Sequence, residues 1–218
     1  AATVVLMLES PEDDVQAKAC EAIYKFVNKC DENKKVLYDL NSCEQLFRLL
    51  SSEEKVVRRN SIMAIGSLTG INEVRKFIRK RDDCIPAIMK LLNPEEFNTT
   101  HEFATLALTN LCQEFTSIAT ILDNNGIEPL VECLSSDDPD VQKNSIECIA
   151  LLLQDFEART VIRDGNGLEA MLALLSSEYP IIQELTLTAF IRVTQDAGNR
   201  AALRELESIK NFVNIIGN

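Results

Sequence analysis

The sequence predicts an all-α fold, a right-handed solenoid of stacked three-helix repeats of about 42 residues each. The first observation is a leucine or isoleucine before each polar turn, at nearly constant intervals. These landmarks are Leu8, Leu50, Leu92, Leu134, Leu175 and Ile216, separated by 42, 42, 42, 41 and 41 positions. The second observation is composition, because 7 Gly and 6 Pro are too few for a fold with many tight turns.

Within each period the apolar residues recur at helical spacing. After the fourth landmark, one face carries Val141, Ser145, Cys148, Ile149 and Leu152. Two shorter apolar segments come before each landmark, at 117–124 and 127–134 in one period. Gly126 and Gly167 stand between such segments and are predicted to adopt positive φ. Three helices per repeat, in the order short, medium and long, form the armadillo pattern rather than the two-helix HEAT or TPR pattern.

The repeats divide the chain into one continuous array, 1–218. The predicted division is a partial repeat 1–32, repeats at about 33–72, 73–114, 115–155 and 156–197, and a partial repeat 198–218. No polar capping helix is evident at either end. Because stacked repeats need such caps, we expect the array to continue in both directions.

Composition and motifs argue against several functions. The net charge of −12 disfavours nucleic acid as a ligand. The seven cysteines include no CxxC pair, which indicates reduced core thiols in an intracellular protein rather than a zinc site. No apolar run approaches the ~20 residues that span a bilayer. The single histidine, His101, has no nucleophile or orienting partner in a motif and is predicted to be a capping or surface residue. We therefore predict no enzymatic activity, cofactor, metal or small-molecule substrate.

Several stretches resemble the N-terminal region of one branch of the armadillo repeat family. They are AATVVLML (1–8), AKACEAIYKF (17–26), VRRNS (57–61), HEFA (101–104), LSSDDPDVQKNSIECI (134–149), QDF (154–156) and SEYPIIQ (177–183). The resemblance implies a multi-repeat scaffold in ciliated or flagellated cells, notably male germ cells. It also implies a cytoplasmic or axonemal location and protein partners of axonemal or cytoskeletal type. The alternatives are a peptide-binding transport adaptor and a regulatory array attached to a catalytic domain elsewhere in a longer chain.

Armadillo proteins resembling nuclear-import adaptors hold a basic peptide with a ladder of Trp and Asn on the long helices. Here the aligned Asn positions hold Lys25, Ser67, Asn110, Leu151 and Arg192, and the chain has no Trp. The adaptor ladder is therefore incomplete, and a groove for another protein ligand is favoured. The predicted binding residues are Lys18, Lys25, Asn60, Phe103, Leu106, Asn110, Asn144, Leu151 and Arg192.

One basic cluster interrupts the acidic chain. Its members are Arg75, Lys76, Arg79, Lys80 and Arg81. Spacing of four residues puts Arg75 with Arg79 and Lys76 with Lys80 on one side of a short helix. Either this is a solvated helix face or it contacts an acidic protein surface, such as a tubulin tail.

Overall fold

A computed structural model describes residues 1–216, without the side chains at 211 and 214–216. The side chain of the last predicted landmark, Ile216, and positions 217–218 of the last predicted partial repeat lie outside the described residues. Within the described range the chain forms α-helices and one 3-10 helix, and it contains no strand. The α-helices are α1 (Ala2–Met7), α2 (Asp13–Val27), α3 (Asp31–Asp39), α4 (Ser42–Leu49), α5 (Lys55–Leu68), α6 (Asn72–Arg79), α7 (Cys84–Met89), α8 (Asn98–Leu111), α9 (Phe115–Asp123), α10 (Ile127–Cys133), α11 (Pro139–Leu152), α12 (Phe156–Asp164), α13 (Gly167–Leu174), α14 (Pro180–Val193), α15 (Ala197–Glu205) and α16 (Ile209–Ile216).

Each repeat contains three helices, which we call its first, second and third helix in chain order. The third helices, α2, α5, α8, α11 and α14, have 14 or 15 residues. The first helices, α3, α6, α9, α12 and α15, have 8 or 9 residues, and the second helices have 6 to 8. The predicted order of short, medium and long is therefore wrong for the first two kinds. The 3-10 helix Lys90–Leu92 extends α7.

The third helices carry the periodic apolar stripe that the sequence predicts. On α11 the five predicted residues, from Val141 to Leu152, are all buried. Their spacing places them on one face of the helix, which packs against α10 and α14. This burial removes apolar area from water and is the main source of stability for such a helix.

Each turn between a second and a third helix is closed in the same way. A side-chain oxygen accepts a hydrogen bond from the backbone nitrogen two residues later, over 2.9–3.2 Å. The accepting residues are Ser10, Ser52, Asn93, Ser136 and Ser177. In four of these turns a side chain six positions later donates to the carbonyl of the same residue, over 2.7 Å. The donors are Gln16, Arg58, Gln142 and Gln183.

In the described residues, four of the five turns between a first and a second helix use a left-handed residue, but not a glycine. Asn41, Asn125, Asn166 and Glu207 have φ between 49° and 59°, and no glycine in the described range has positive φ. The prediction for Gly126 and Gly167 is therefore wrong by one position. Asparagine tolerates the left-handed region better than most side chains, so the preceding Asn takes that role. Gly167 is required for another reason, because a Cβ there would lie 2.5 Å from the Ile162 side chain.

The chain forms two compact units, Ala1–Leu111 and Cys112–Asn218. In the first unit, α5 lies between α2 and α8. In the second unit, α11 packs against α14, and α12 packs against α13 and α15. Each unit has its own apolar core, which extends over all three kinds of helix.

Candidate protein-binding surface

The third helices of the first unit present a row of outward-facing side chains. We call this row the third-helix strip; its members are Lys18, Glu21 and Lys25 on α2, Met63 and Ser67 on α5, and Leu106 and Asn110 on α8. Lys18 and Lys25 are exposed, and the others are half-buried. The strip is therefore charged on α2 and uncharged on α5 and α8, where two of its four side chains, Met63 and Leu106, are apolar.

Hydrogen bonds between neighbouring third helices fix the register of the strip. Asn60 Nδ2 on α5 donates to the Ala17 carbonyl on α2 over 2.9 Å. Asn110 Nδ2 on α8 donates to Thr69 Oγ1, at the end of α5, over 3.0 Å. A hydrogen bond requires a narrow range of distance and angle, so sliding one helix along the next would break both bonds.

Three of the predicted binding residues are buried rather than exposed. Asn60 and Asn144 are each 5% exposed, and Phe103 is 7% exposed. The Phe103 ring packs edge-on against the Tyr24 ring, with centroids 5.3 Å apart. These positions lie one turn before the outward-facing row, where the neighbouring third helix covers them. Phe103 therefore belongs to the packing between helices and is not available as an apolar anchor for a ligand.

The second unit places its predicted residues on α11 and α14. Leu151 and Arg192 are both half-buried. Arg192 Nη1 donates to the Ala150 carbonyl on α11, so its guanidinium links the two third helices. The side chain of Arg192 is thus partly committed to a structural contact, whereas Leu151 presents part of an apolar side chain outward.

An ion pair offsets part of the charge at the α2 end of the strip. Lys25 Nζ lies 2.5 Å from Glu21 Oε1, one helical turn earlier. The hydrogen bond and charge of Lys25 lower the pKa of the Glu21 carboxyl. On α5 the Arg59 guanidinium stacks over the Phe97 ring, 5.4 Å from its centroid, and its Nε donates to Asn60 Oδ1.

The basic cluster is divided between structural and exposed roles. Arg75 Nη1 donates to the carbonyls of Thr69 and Gly70, over 2.9 and 3.0 Å, at the end of α5. Arg81 pairs with Glu44 at 3.1 Å and with Asp83 at 3.4 Å. Those carboxylates raise the pKa of the Arg81 guanidinium further above its usual range.

Of the remaining three members, Lys76 and Lys80 are exposed and Arg79 is half-buried. The predicted patch is therefore not one free basic surface. Repetition gives the reason, because arginines at the same position in α12 and α15 also bind the preceding helix end. These are Arg159, on the carbonyls of Leu153 and Gln154, and Arg200, on those of Thr194 and Gln195.

His101 has a structural contact and is 9% exposed, so it is not a surface residue. Its Nε2 lies 2.9 Å from the carbonyl of Asn93 and serves the turn before α8 as Gln16 and Gln142 serve theirs. The contact spans eight positions instead of six, so its equivalence to the glutamine contacts is not visible in the sequence spacing. Among residues 1–216, no group of three or more His, Cys, Asp or Glu side chains could hold a metal ion. No described helix combines the length and apolarity that crossing a bilayer demands.

The repeated three-helix pattern and the register of the third helices define an armadillo-type α-solenoid, a fold typical of scaffolds that bind proteins or peptides. Residues 117–153 match the model of the Armadillo/beta-catenin-like repeat. The chain is 51% identical over 147 residues to armadillo repeat-containing protein 3 of Homo sapiens, the relative that the quoted stretches resemble. The alignment covers 67% of this chain and 17% of the human protein. The predicted resemblance is confirmed.

Solved structures agree on the fold. A designed armadillo repeat protein, YIII(Dq)4CqI, has a TM-score of 0.84 at 18% identity, covering 98% of this chain and 90% of that protein. An engineered protein has a TM-score of 0.85 at 23% identity, covering 99% of this chain and 88% of the other. A designed armadillo repeat protein in complex with the peptide (KR)4 has a TM-score of 0.76 at 19% identity, covering 99% and 98%. The matched repeat and the solved structures agree on the armadillo-type solenoid fold.

Proposed function

We propose that this chain is a non-enzymatic scaffold that binds an extended segment of another protein along the third-helix strip. The carrying observation is the row of outward-facing side chains on α2, α5 and α8, held in register by the Asn60 and Asn110 hydrogen bonds. Stacking of repeats joins equivalent positions of successive third helices into one extended surface for a ligand that crosses them.

The chemistry of the strip favours a ligand that is apolar along α5 and α8. Met63 and Leu106 are half-buried and project from neighbouring third helices, where they offer apolar contact area. The exposed cations Lys18 and Lys25 lie on α2, at one end of the strip. The designed relative bound to (KR)4 carries a purely basic peptide. A peptide of that kind would meet like charges at Lys18 and Lys25 here, so we favour an apolar ligand with a neutral or acidic end.

The cellular setting of the proposal is an assembly role in cilia or flagella, including those of male germ cells. It rests on the resemblance of the quoted stretches to one branch of the armadillo repeat family. Its partners would then be axonemal or cytoskeletal proteins, and its location the cytoplasm or the axoneme.

Affinity capture from ciliated tissue, followed by cross-linking, tests the proposal. A Met63→Arg, Leu106→Arg double variant places two charges in the apolar part of the strip and should abolish capture of the strip ligand. The matched control is Val36→Arg on α3, a 43% exposed position outside the strip, which should leave capture unchanged. Cross-links from the captured protein should fall on α2, α5 and α8. An identical set of captured proteins from the double variant and the wild type would disprove binding at the strip.

A further inference from the structure

A second surface of the first unit has the form of a binding cleft. It lies between the second helices α4 and α7 and encloses about 960 Å³. Buried apolar groups of Phe47, Leu50 and Cys84 form its floor, and the half-buried Pro86 and Ala87 form part of one wall. This volume is within the range of clefts that bind small ligands or side chains of a peptide.

The two ends of the cleft differ in charge. At one end Arg81 bridges Glu44 and Asp83, at 3.1 and 3.4 Å, so the two carboxylates outnumber the cation by one. At the other end lie Arg48, in the last turn of α4, and Lys90, just after α7. That end therefore carries two cations and no carboxylate from the lining residues.

Neither cation is neutralised by a carboxylate of the described chain. Arg48 donates to the Leu8 carbonyl over 2.8 Å and to Gln45 Oε1 over 3.1 Å, both uncharged acceptors. Lys90 is exposed and makes no ion pair within residues 1–216. Cations at helix ends also stabilise the helix, but each helix end offsets only about half an elementary charge. About half of the positive charge, roughly one elementary charge, therefore remains available to a ligand.

We propose that the cleft between α4 and α7 binds a short acidic segment of a partner protein, with one apolar side chain on the cleft floor. A carboxylate of the segment lies against Lys90 and Arg48, and the apolar side chain covers Phe47 beside Ala87. Charge complementarity selects this occupant, because the basic end repels cationic segments and the floor gains from removing apolar area from water. The segment runs with its acidic end towards Lys90 and away from Glu44 and Asp83.

This site is independent of the third-helix strip, since no residue lining the cleft belongs to the strip. A partner could then occupy each surface at the same time. Failure at one surface and failure at the other are distinguishable, because Lys90→Glu leaves the strip unaltered and Leu106→Arg leaves the cleft unaltered.

A phage-displayed library of random 12-residue peptides, selected on the 218-residue chain, provides the test. Selected peptides should be enriched in Glu or Asp together with a large apolar residue. Their synthetic, fluorescein-labelled forms should lose affinity about tenfold with Lys90→Glu, measured by anisotropy. Ala87→Phe, which fills the cleft from its wall, should abolish their binding. The matched control is Lys76→Glu, an exposed lysine on α6 outside the cleft lining, which should change affinity less than twofold.

Three outcomes would overturn the proposal. The library could yield no enriched peptide, or only cationic ones. Enriched acidic peptides could bind Lys90→Glu and Ala87→Phe as tightly as the wild type, or lose binding only with Leu106→Arg, which would assign them to the strip. Finally, sedimentation could show wild-type dimers that Lys90→Glu dissociates, which would make a second copy of the chain the occupant.

Discussion

A missing side chain sets the distance between two third helices. Gly66 of α5 faces α8 so closely that a Cβ built there would lie 2.8 Å from the Phe103 carbonyl oxygen and 3.1 Å from its ring. Tyr24 on α2 and Phe103 on α8 have their rings in contact even though α5 lies between these two helices. The small size of Gly66 is consistent with this contact. Backbone is the obstacle, so the clash cannot be relieved by a rotamer change alone.

Gly66→Ala should therefore destabilise the chain by about 1–3 kcal/mol, the usual cost of overpacking. Helix propensity alone would favour alanine by about 1 kcal/mol, so the sign of the effect discriminates between packing and propensity. Urea unfolding measures it. Gly70→Ala is the control, because its nearest neighbour is the flexible end of Lys34, at 3.1 Å. A Gly66→Ala chain more stable than the wild type would show that α5 and α8 can move apart without losing packing energy.

The cysteines provide a second test at this scale. Burial raises the pKa of the Cys20, Cys43 and Cys84 thiols to about 12 and that of Cys133 to about 11. Of the seven thiols only Cys30 is exposed. The thiolate is the reactive form, so buried thiols with raised pKa values react slowly in the folded chain.

At pH 8, iodoacetamide should label one thiol per folded chain, at Cys30, and all seven in guanidinium. Mass spectrometry counts the adducts, and Cys30→Ser should remove the single native adduct. Because the folded pKa values are raised, the neutral thiols contribute stability below the unfolded pKa, near ~8.5. That contribution should be lost as pH rises from about 9 towards 12. Rapid native labelling of three or more thiols would contradict the burial.

At the scale of the element, the repeated arginine clamps hold the end of a third helix. Carbonyls at the end of a helix have no partner within it. Arg75, Arg159 and Arg200 each donate to the carbonyl of the C-cap residue and to that of the next residue. Each clamp joins a first helix to the third helix before it. The clamp thus fixes the angle at which the chain enters the next repeat.

Arg75→Ala should cost about 1–2 kcal/mol, because it leaves the Thr69 and Gly70 carbonyls without these donors. Lys76→Ala, its exposed neighbour on α6, should change the unfolding free energy by less than about 0.5 kcal/mol. Parallel urea titrations of the two variants provide the measurement. Equal stability of both variants would show that the Arg75 hydrogen bonds do not stabilise the fold, in agreement with the exposed basic face that the sequence predicts.

The periodic pattern predicted the elements well and the roles of single side chains poorly. Spacing located the buried face of α11, because apolar residues at helical intervals must share a face. Spacing did not predict that Phe103 is buried whereas Leu106 is half-buried. The neighbouring third helix, about 42 residues away, determines which turn it covers. The same holds for Arg75, whose acceptors Thr69 and Gly70 become close only when α6 turns back on α5.

The whole molecule is a chain of repeats in which most packing is between sequence neighbours. In the second unit, for example, α11 contacts α9, α10 and α14. Stability in such arrays is approximately a sum of repeat terms and nearest-neighbour terms, so damage to one repeat should spread over short distances only. A single cooperative core would instead lose protection everywhere at once.

Ile149→Asp separates these two kinds of behaviour. Ile149 is fully buried on α11, and an unpaired carboxylate there should cost about 3 kcal/mol or more. Hydrogen exchange followed by mass spectrometry should show the largest loss of protection in α10, α11 and α14, and almost none in α2 and α5. The matched control is Ile191→Asp on α14, where the isoleucine is 69% exposed and the same substitution should leave exchange nearly unchanged. Loss of protection of equal size in α2 and α11 would contradict nearest-neighbour stability and would make the chain one cooperative unit.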